Sequence, residues 1–139
     1  MIVASSLVHF QNSNPNADRK PVIVVVEDEI VLRSLVATYL RESNFKVVEA
    51  GNAEEAVAVL NSGTAVDLVF ADVKMYGKMD GVGLAHWINQ HHRDIPVLVT
   101  TGTTQKLAAS DKIPDDRFVP KPYIFGEIED RIRKLIQAP

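Results

Sequence analysis

A doubly wound α/β domain, with a five-stranded parallel sheet covered by helices on both faces, is the fold this sequence predicts. Three observations carry the prediction. Five short apolar runs are separated by segments of helical period. Four of the runs are apolar on consecutive residues and rich in valine, as strands covered on both faces of a parallel sheet must be. Helix-length spacers between them make right-handed crossovers the expected connection.

The chain opens with a polar, Asn-rich stretch ending in "QNSNPNADRK", so residues 1–20 are expected to form a flexible leader and the domain to occupy 21–139. The strands are read as "VIVVV" (22–26), "KVVEA" (46–50), "DLVFA" (67–71), "PVLVT" (96–100) and "RFV" (117–119). Between the first two, Leu32, Leu35, Val36, Tyr39 and Leu40 share one helical face. Ala53, Ala56, Val57 and Leu60 do so in the next helix, where Asn52 and Glu55 have the spacing of a capping box. "GVGLAHWINQHH" is the third helix, 103–110 a short fourth, and "YIFGEIEDRIRKLIQ" the last, with Ile124, Ile128, Ile132 and Leu135 on its inner face. Trp87 is expected at the edge of the core. His86, His91 and His92 are expected on a solvated face, since none has an acidic partner at ligand spacing.

At 139 residues the chain is the size of one domain. A net charge of −3 supplies no basic field for nucleic acid, and the absence of cysteine excludes disulfides, thiolate metal sites and cysteine nucleophiles. No apolar run approaches the roughly 20 residues that cross a bilayer, and "MIVASSLVHF" lacks the basic start of a signal peptide. A soluble, unexported, cytoplasmic protein with neither nucleic acid nor membrane as partner is the expectation.

Function is concentrated at strand ends. The first strand finishes in Glu27 and Asp28, the third in Asp72, the fourth in Thr100 and Thr101, and Lys121 follows the fifth. In a parallel sheet all of these converge on the carboxyl edge, where doubly wound domains bind ligands. Three carboxylates in one place need a compensating cation, and an all-oxygen site with room for water suits Mg²⁺. Metal and Lys121 together would neutralise a phosphoryl group arriving at Asp72 as nucleophile, with Thr101 placed to hydrogen-bond it.

"VVVEDE", "LVFADVKM…MDG", "PVLVTTG" and "FVPKPY", in that order and spacing, resemble the receiver domains of two-component response regulators over residues 21–137. The resemblance implies a flavodoxin-like fold. It further implies Asp72 as phosphoacceptor, Asp28 as direct metal ligand, Glu27 acting on the metal through water, and the backbone carbonyl of Lys74 completing the protein ligands. Thr101 takes the place of the switch hydroxyl, five residues beyond Pro96, which leaves Thr100 as a strand residue. Phe118 matches the aromatic that turns inward on phosphorylation, and Lys121–Pro122 the family's cis peptide. The loop after Asp72 departs from the pattern. Tyr76 stands where most receivers have proline, and Asp80–Gly81 falls one residue later than is commonest.

A phosphatase of the haloacid dehalogenase type also phosphorylates an aspartate at a strand end, but needs a second aspartate where this chain has Lys74; no glycine-rich phosphate loop is present either. The expectation is a signalling module rather than an enzyme. The chain stops soon after the last helix, so the resemblance points to a stand-alone receiver. It would be charged by a histidine kinase or histidine phosphotransfer protein, and would regulate a downstream protein through a changed surface around the 103–110 segment and the last helix.

Overall fold

The computed structural model describes residues 19–102 and 113–137 and contains a five-stranded parallel sheet in the order β2-β1-β3-β4-β5. The strands are β1 (Val22–Val26), β2 (Lys46–Ala50), β3 (Leu68–Asp72), β4 (Val97–Thr101) and β5 (Phe118–Pro120). Helices α1 (Ile30–Glu42), α2 (Ala53–Asn61), α3 (Gly81–His91) and α4 (Phe125–Gln137) connect and cover them. Residues 1–18 of the expected leader and the expected helix at 103–110 lie outside the described residues. Arg19, near the leader's end, is already tied to the domain, with Nη2 2.9 Å from Asp67 Oδ1. Asp67 Oδ2 in turn accepts from the Val22 amide at 2.7 Å.

Every residue of β1, β3 and β4 is buried, which explains why these strands read as unbroken apolar runs. Alternation divides the core. Ile23, Val25, Phe70 and Leu98 face α1 and α4, where they meet Leu40, Ile128 and Ile132. Val24, Val26, Ala71 and Val99 face α2 and α3, where Ala53, Ala56, Leu84 and Ile88 pack on them. Truncating a fully buried residue such as Ile132 to alanine removes about 2–5 kcal/mol.

Local signals set the helix ends. The Asn52 side chain accepts from the Glu55 amide at 2.8 Å and Glu55 reaches back to the Gly51 amide at 2.6 Å, so the capping pair forms, one residue wide of the usual reciprocal bond. α1 ends with Phe45 N–H on the Leu40 carbonyl and Asn44 N–H on that of Arg41, Asn44 adopting φ +74; this is the two-bond Schellman closure. Glu129 of α4 binds α1 and its exit by accepting from Tyr39 Oη at 2.9 Å and Ser43 Oγ at 3.3 Å, and it pairs with Arg133 at 3.0 Å.

The structure corrects several sequence expectations. β3, β4 and β5 each start and end one residue later than read; Pro96, lacking an N–H, contributes only its carbonyl, to Val69. Leu35 is 52% exposed and Ala37 takes the core position on α1, because the stripe meeting the sheet is narrower than the apolar stripe in the sequence. α4 begins at Phe125, so Ile124 precedes it and is exposed, its carbonyl receiving the amides of Glu127 and Ile128. α3 ends at His91, one residue early.

Candidate functional site

Register assembles the site. Val26 pairs with Ala71 and Asp72 with Thr100, so Glu27 emerges beside Asp72 at the carboxyl edge. Glu27 and Asp72 are each 4% exposed, and an oxygen from each, with one from Asp28, lie within 4.8 Å of one another. Lys121 Nζ stands 2.7 Å from Asp72 Oδ2, and the Lys74 amide donates to Oδ1 at 3.2 Å. Glu27, Asp28, Glu29, Asp72, Lys74, Gly102 and Lys121 line a pocket of about 260 Å³.

One paired ammonium does not balance three carboxylates. The consequence appears at Glu27: burial first, and the neighbouring Asp72 carboxyl second, push its pKa up to about 8. Its Oε1 accepts from the Glu29 amide at 3.2 Å, but Oε2 is buried with no hydrogen-bond partner. A buried carboxylate oxygen left unmatched beside two further carboxylates fits a hard divalent cation, which binds oxygen donors and supplies the missing charge.

The loop from Asp72 into α3 is built on close backbone approach. Asp80 caps α3 by accepting from Gly83 N–H at 2.8 Å, and Gly81 N–H bonds the Val73 carbonyl at 2.9 Å. A Cβ on Gly81 would overlap the Asp72 carbonyl, which accounts for glycine after Asp80.

Thr101 and Phe118 do not line this pocket, although the Thr101 carbonyl accepts from the Lys121 amide at 2.8 Å. Thr101 ends β4, 1% exposed, and alternation with Val97 and Val99 turns it to the α2/α3 face; at this end Gly102 rather than Thr101 forms the pocket wall. Phe118 opens β5, half-buried, pairing with Val99, and its carbonyl accepts from Arg131 Nη1 at 3.0 Å. The Lys121–Pro122 peptide is cis. Trp87 packs at the margin of the α2/α3 core with the His91 ring stacked on it at 4.6 Å, and His86 and His91 are exposed.

Two participants escaped the sequence reading. Tyr123 lies against the core with Lys121 Nζ 5.6 Å from its ring centre; burial, then the charges of Glu27 and Asp72, push its phenol well above the usual range. Thr100 Oγ1 lies beside that phenol but makes no hydrogen bond of standard geometry. An aromatic two residues beyond the lysine was the available signal. The other is the Tyr76 amide, 3.3 Å from Asp28 Oδ2, which no side-chain pattern announces.

The family description "response regulator receiver domain" matches residues 23–133. A probable transcriptional regulator, ycf27, of Cyanophora paradoxa is 33% identical over 120 residues, covering 85% of this chain and 49% of that protein. The transcriptional regulatory protein AruR of Pseudomonas aeruginosa is 32% identical, covering 84% and 50%. The chain thus spans about half the length of the curated relatives it matches. Among solved structures, the receiver domain of NtrX from Brucella abortus superposes with a TM-score of 0.74 at 28% identity, over 84% of this chain and 99% of that one. A receiver protein from Sinorhizobium medicae gives 0.76 at 23% identity, covering 86% and 97%, a likeness of fold. With the sheet order, the acidic edge and these matches together, the chain belongs to the response regulator receiver domains, the receiving modules of two-component signalling.

Proposed function

We propose that Asp72 accepts a phosphoryl group from a histidine kinase or histidine phosphotransfer protein, with Mg²⁺, and that the chain thereby regulates a partner protein. The observation that carries this is the Asp72 carboxylate, buried, paired with Lys121 at 2.7 Å and gathered with Glu27 and Asp28 within 4.8 Å. An Asp72 oxygen attacks phosphorus as the bond to the donor's imidazole nitrogen breaks, its electron pair returning to that nitrogen and an acyl phosphate forming. Lys121 stays beside the transferred group and offsets its charge. Glu27, Asp28, Asp72 and the Lys74 carbonyl are the groups to hold Mg²⁺, which when bound supplies the positive charge that phosphoryl transfer needs.

Thr101 and Phe118 form the responding half: the hydroxyl turns to the phosphoryl group and the ring follows inward, altering the surface near β4 and β5. Exposed Ile30 and Val31, next to Glu29, and Ile124, three residues beyond Lys121, offer an apolar rim to the donor protein. Net charge −3 favours protein over nucleic acid as the regulated partner, and a cytoplasmic site follows from a kinase donor. Among the described residues no helix is long and apolar enough to cross a membrane.

The test is incubation with Mg²⁺ and a small phosphodonor, followed by intact mass. One added phosphoryl group is expected on the parent and none on Asp72→Asn, with the fold retained. Full labelling of Asp72→Asn overturns the assignment.

A further inference from the structure

The loop joining β3 to α3 is fastened on both sides of Gly77. Tyr76 N–H donates to Asp28 Oδ2 at 3.3 Å, and Lys78 N–H to Glu54 Oε1, on α2, at 3.2 Å. Gly77 between them has φ +117, a conformation that side-chain-bearing residues rarely adopt, and a Cβ there would stand 3.3 Å from Glu54 Oε2. The Tyr76 side chain is 86% exposed. What residue 76 gives the site is therefore its backbone amide.

We infer that the Tyr76 N–H is a positioning group for the divalent-cation site, holding the Asp28 carboxylate turned toward Glu27 and Asp72. The inference rests on the metal reading above and deepens it. Asp28 ends no hydrogen-bonded strand and is only partly buried, so its carboxylate needs an anchor to keep one orientation. A carboxylate has two oxygens and about four acceptor sites, so Oδ2 can hold the amide while the group still meets a cation. Fixing it beforehand removes the ordering cost that binding would otherwise carry. Coupling of this kind is reciprocal: a cation at Asp28 tightens the loop as much as the loop favours the cation. Proline at this position has no N–H to donate, so the tyrosine opens an interaction closed to any chain with proline there.

Comparing Tyr76→Pro with Tyr76→Ala isolates the amide, because both delete the exposed ring and only the first deletes the donor. Mg²⁺ titrations followed by backbone amide chemical shifts are expected to give Tyr76→Pro a Kd about tenfold above that of Tyr76→Ala, the size usual for partners that orient a metal-binding carboxylate. Equal constants, or tighter binding by Tyr76→Pro, overturn the inference while leaving the metal reading standing. A parent protein that binds no Mg²⁺ overturns both. Hydrogen exchange of the Tyr76 amide supplies a measurement that does not need the proline variant. Without metal it is expected to be several-fold faster in Asp28→Ala than in the parent, and unchanged exchange overturns the inference.

Discussion

The two halves of the carboxyl edge are built differently. On the β1 and β3 side, Glu27, Asp28 and Asp72 are already gathered, with Lys121 on Asp72 at 2.7 Å. On the β4 and β5 side, Thr101 is turned to the α2/α3 face of the sheet and Phe118 remains half-buried at the start of its strand. Strand register places Glu27 beside Asp72, one step past the paired end of β1, and the Asp28 carboxylate beyond it accepts from the Tyr76 amide. The other half is set by the face each strand residue takes, Thr101 buried and Phe118 half-buried. Under the proposed function the gathered charges receive the phosphoryl group and Thr101 with Phe118 report it, a division of the kind a phosphorylation switch uses.

The sharpest way to break the comparison is to disturb the charged half. Asp28→Ala is expected to weaken Mg²⁺ binding by about tenfold to a hundredfold, and more than Glu27→Ala does, as direct ligation by Asp28 requires. A metal titration giving equal losses for the two variants contradicts that ranking. Glu27 supplies a pH test of the same half. Its folded pKa of about 8 lies above the ordinary 4.5, so between these values the native protein holds more protons than the unfolded chain. The stability contributed by Glu27 is therefore complete below about pH 4.5 and lost as pH rises through about 8. In metal-free urea titrations, the parent is expected to lose on the order of 2 kcal/mol more than Glu27→Gln between pH 5.5 and 8.5, a figure reduced for solvent screening at the open pocket. Parallel profiles for the two proteins would defeat the burial account.

The proposed reporting half is tested by Thr101→Ala. This variant is expected to take up phosphoryl to the same extent as the parent while losing the phosphorylation-linked chemical-shift changes at Phe118. Shifts that survive there remove Thr101 from the reporting role. The smallest effect is expected at Lys74, which is exposed and lines the pocket. If its ammonium pairs with phosphoryl oxygens and shields the acyl phosphate from water, Lys74→Ala loses its phosphoryl group a few-fold faster in saturating Mg²⁺. An equal or slower rate counts against shielding.

The charged half was legible because a carboxylate or ammonium closing an apolar strand is costly to bury without a partner, and parallel strands bring such ends together on one edge. Glu27, Asp28, Asp72 and Lys121 all meet where their order along the chain implied. Burial on α1 was less legible: Leu35 has the right period yet points to solvent, while Ala37 reaches the core, because small residues settle the closest approach and carry little apolar signal. Thr100 and Thr101 differ only in the face they take, a distinction that one residue of strand position reverses. The Tyr76 amide left only an indirect trace in the sequence, a residue with an N–H where the resemblance leads one to expect proline.

Lys121 lies 49 positions after Asp72, and the pair it forms is the pocket's one ion pair among the described residues. During synthesis the acids therefore emerge from the ribosome long before their counter-ion. A nascent or proteolysed chain ending before Lys121 carries three unbalanced carboxylates, lacks all of α4, and leaves Leu98 and Phe70 without Ile128 and Ile132 to cover them. The counter-ion of Asp72 and the helix that closes this face of the core therefore arrive with the same C-terminal segment.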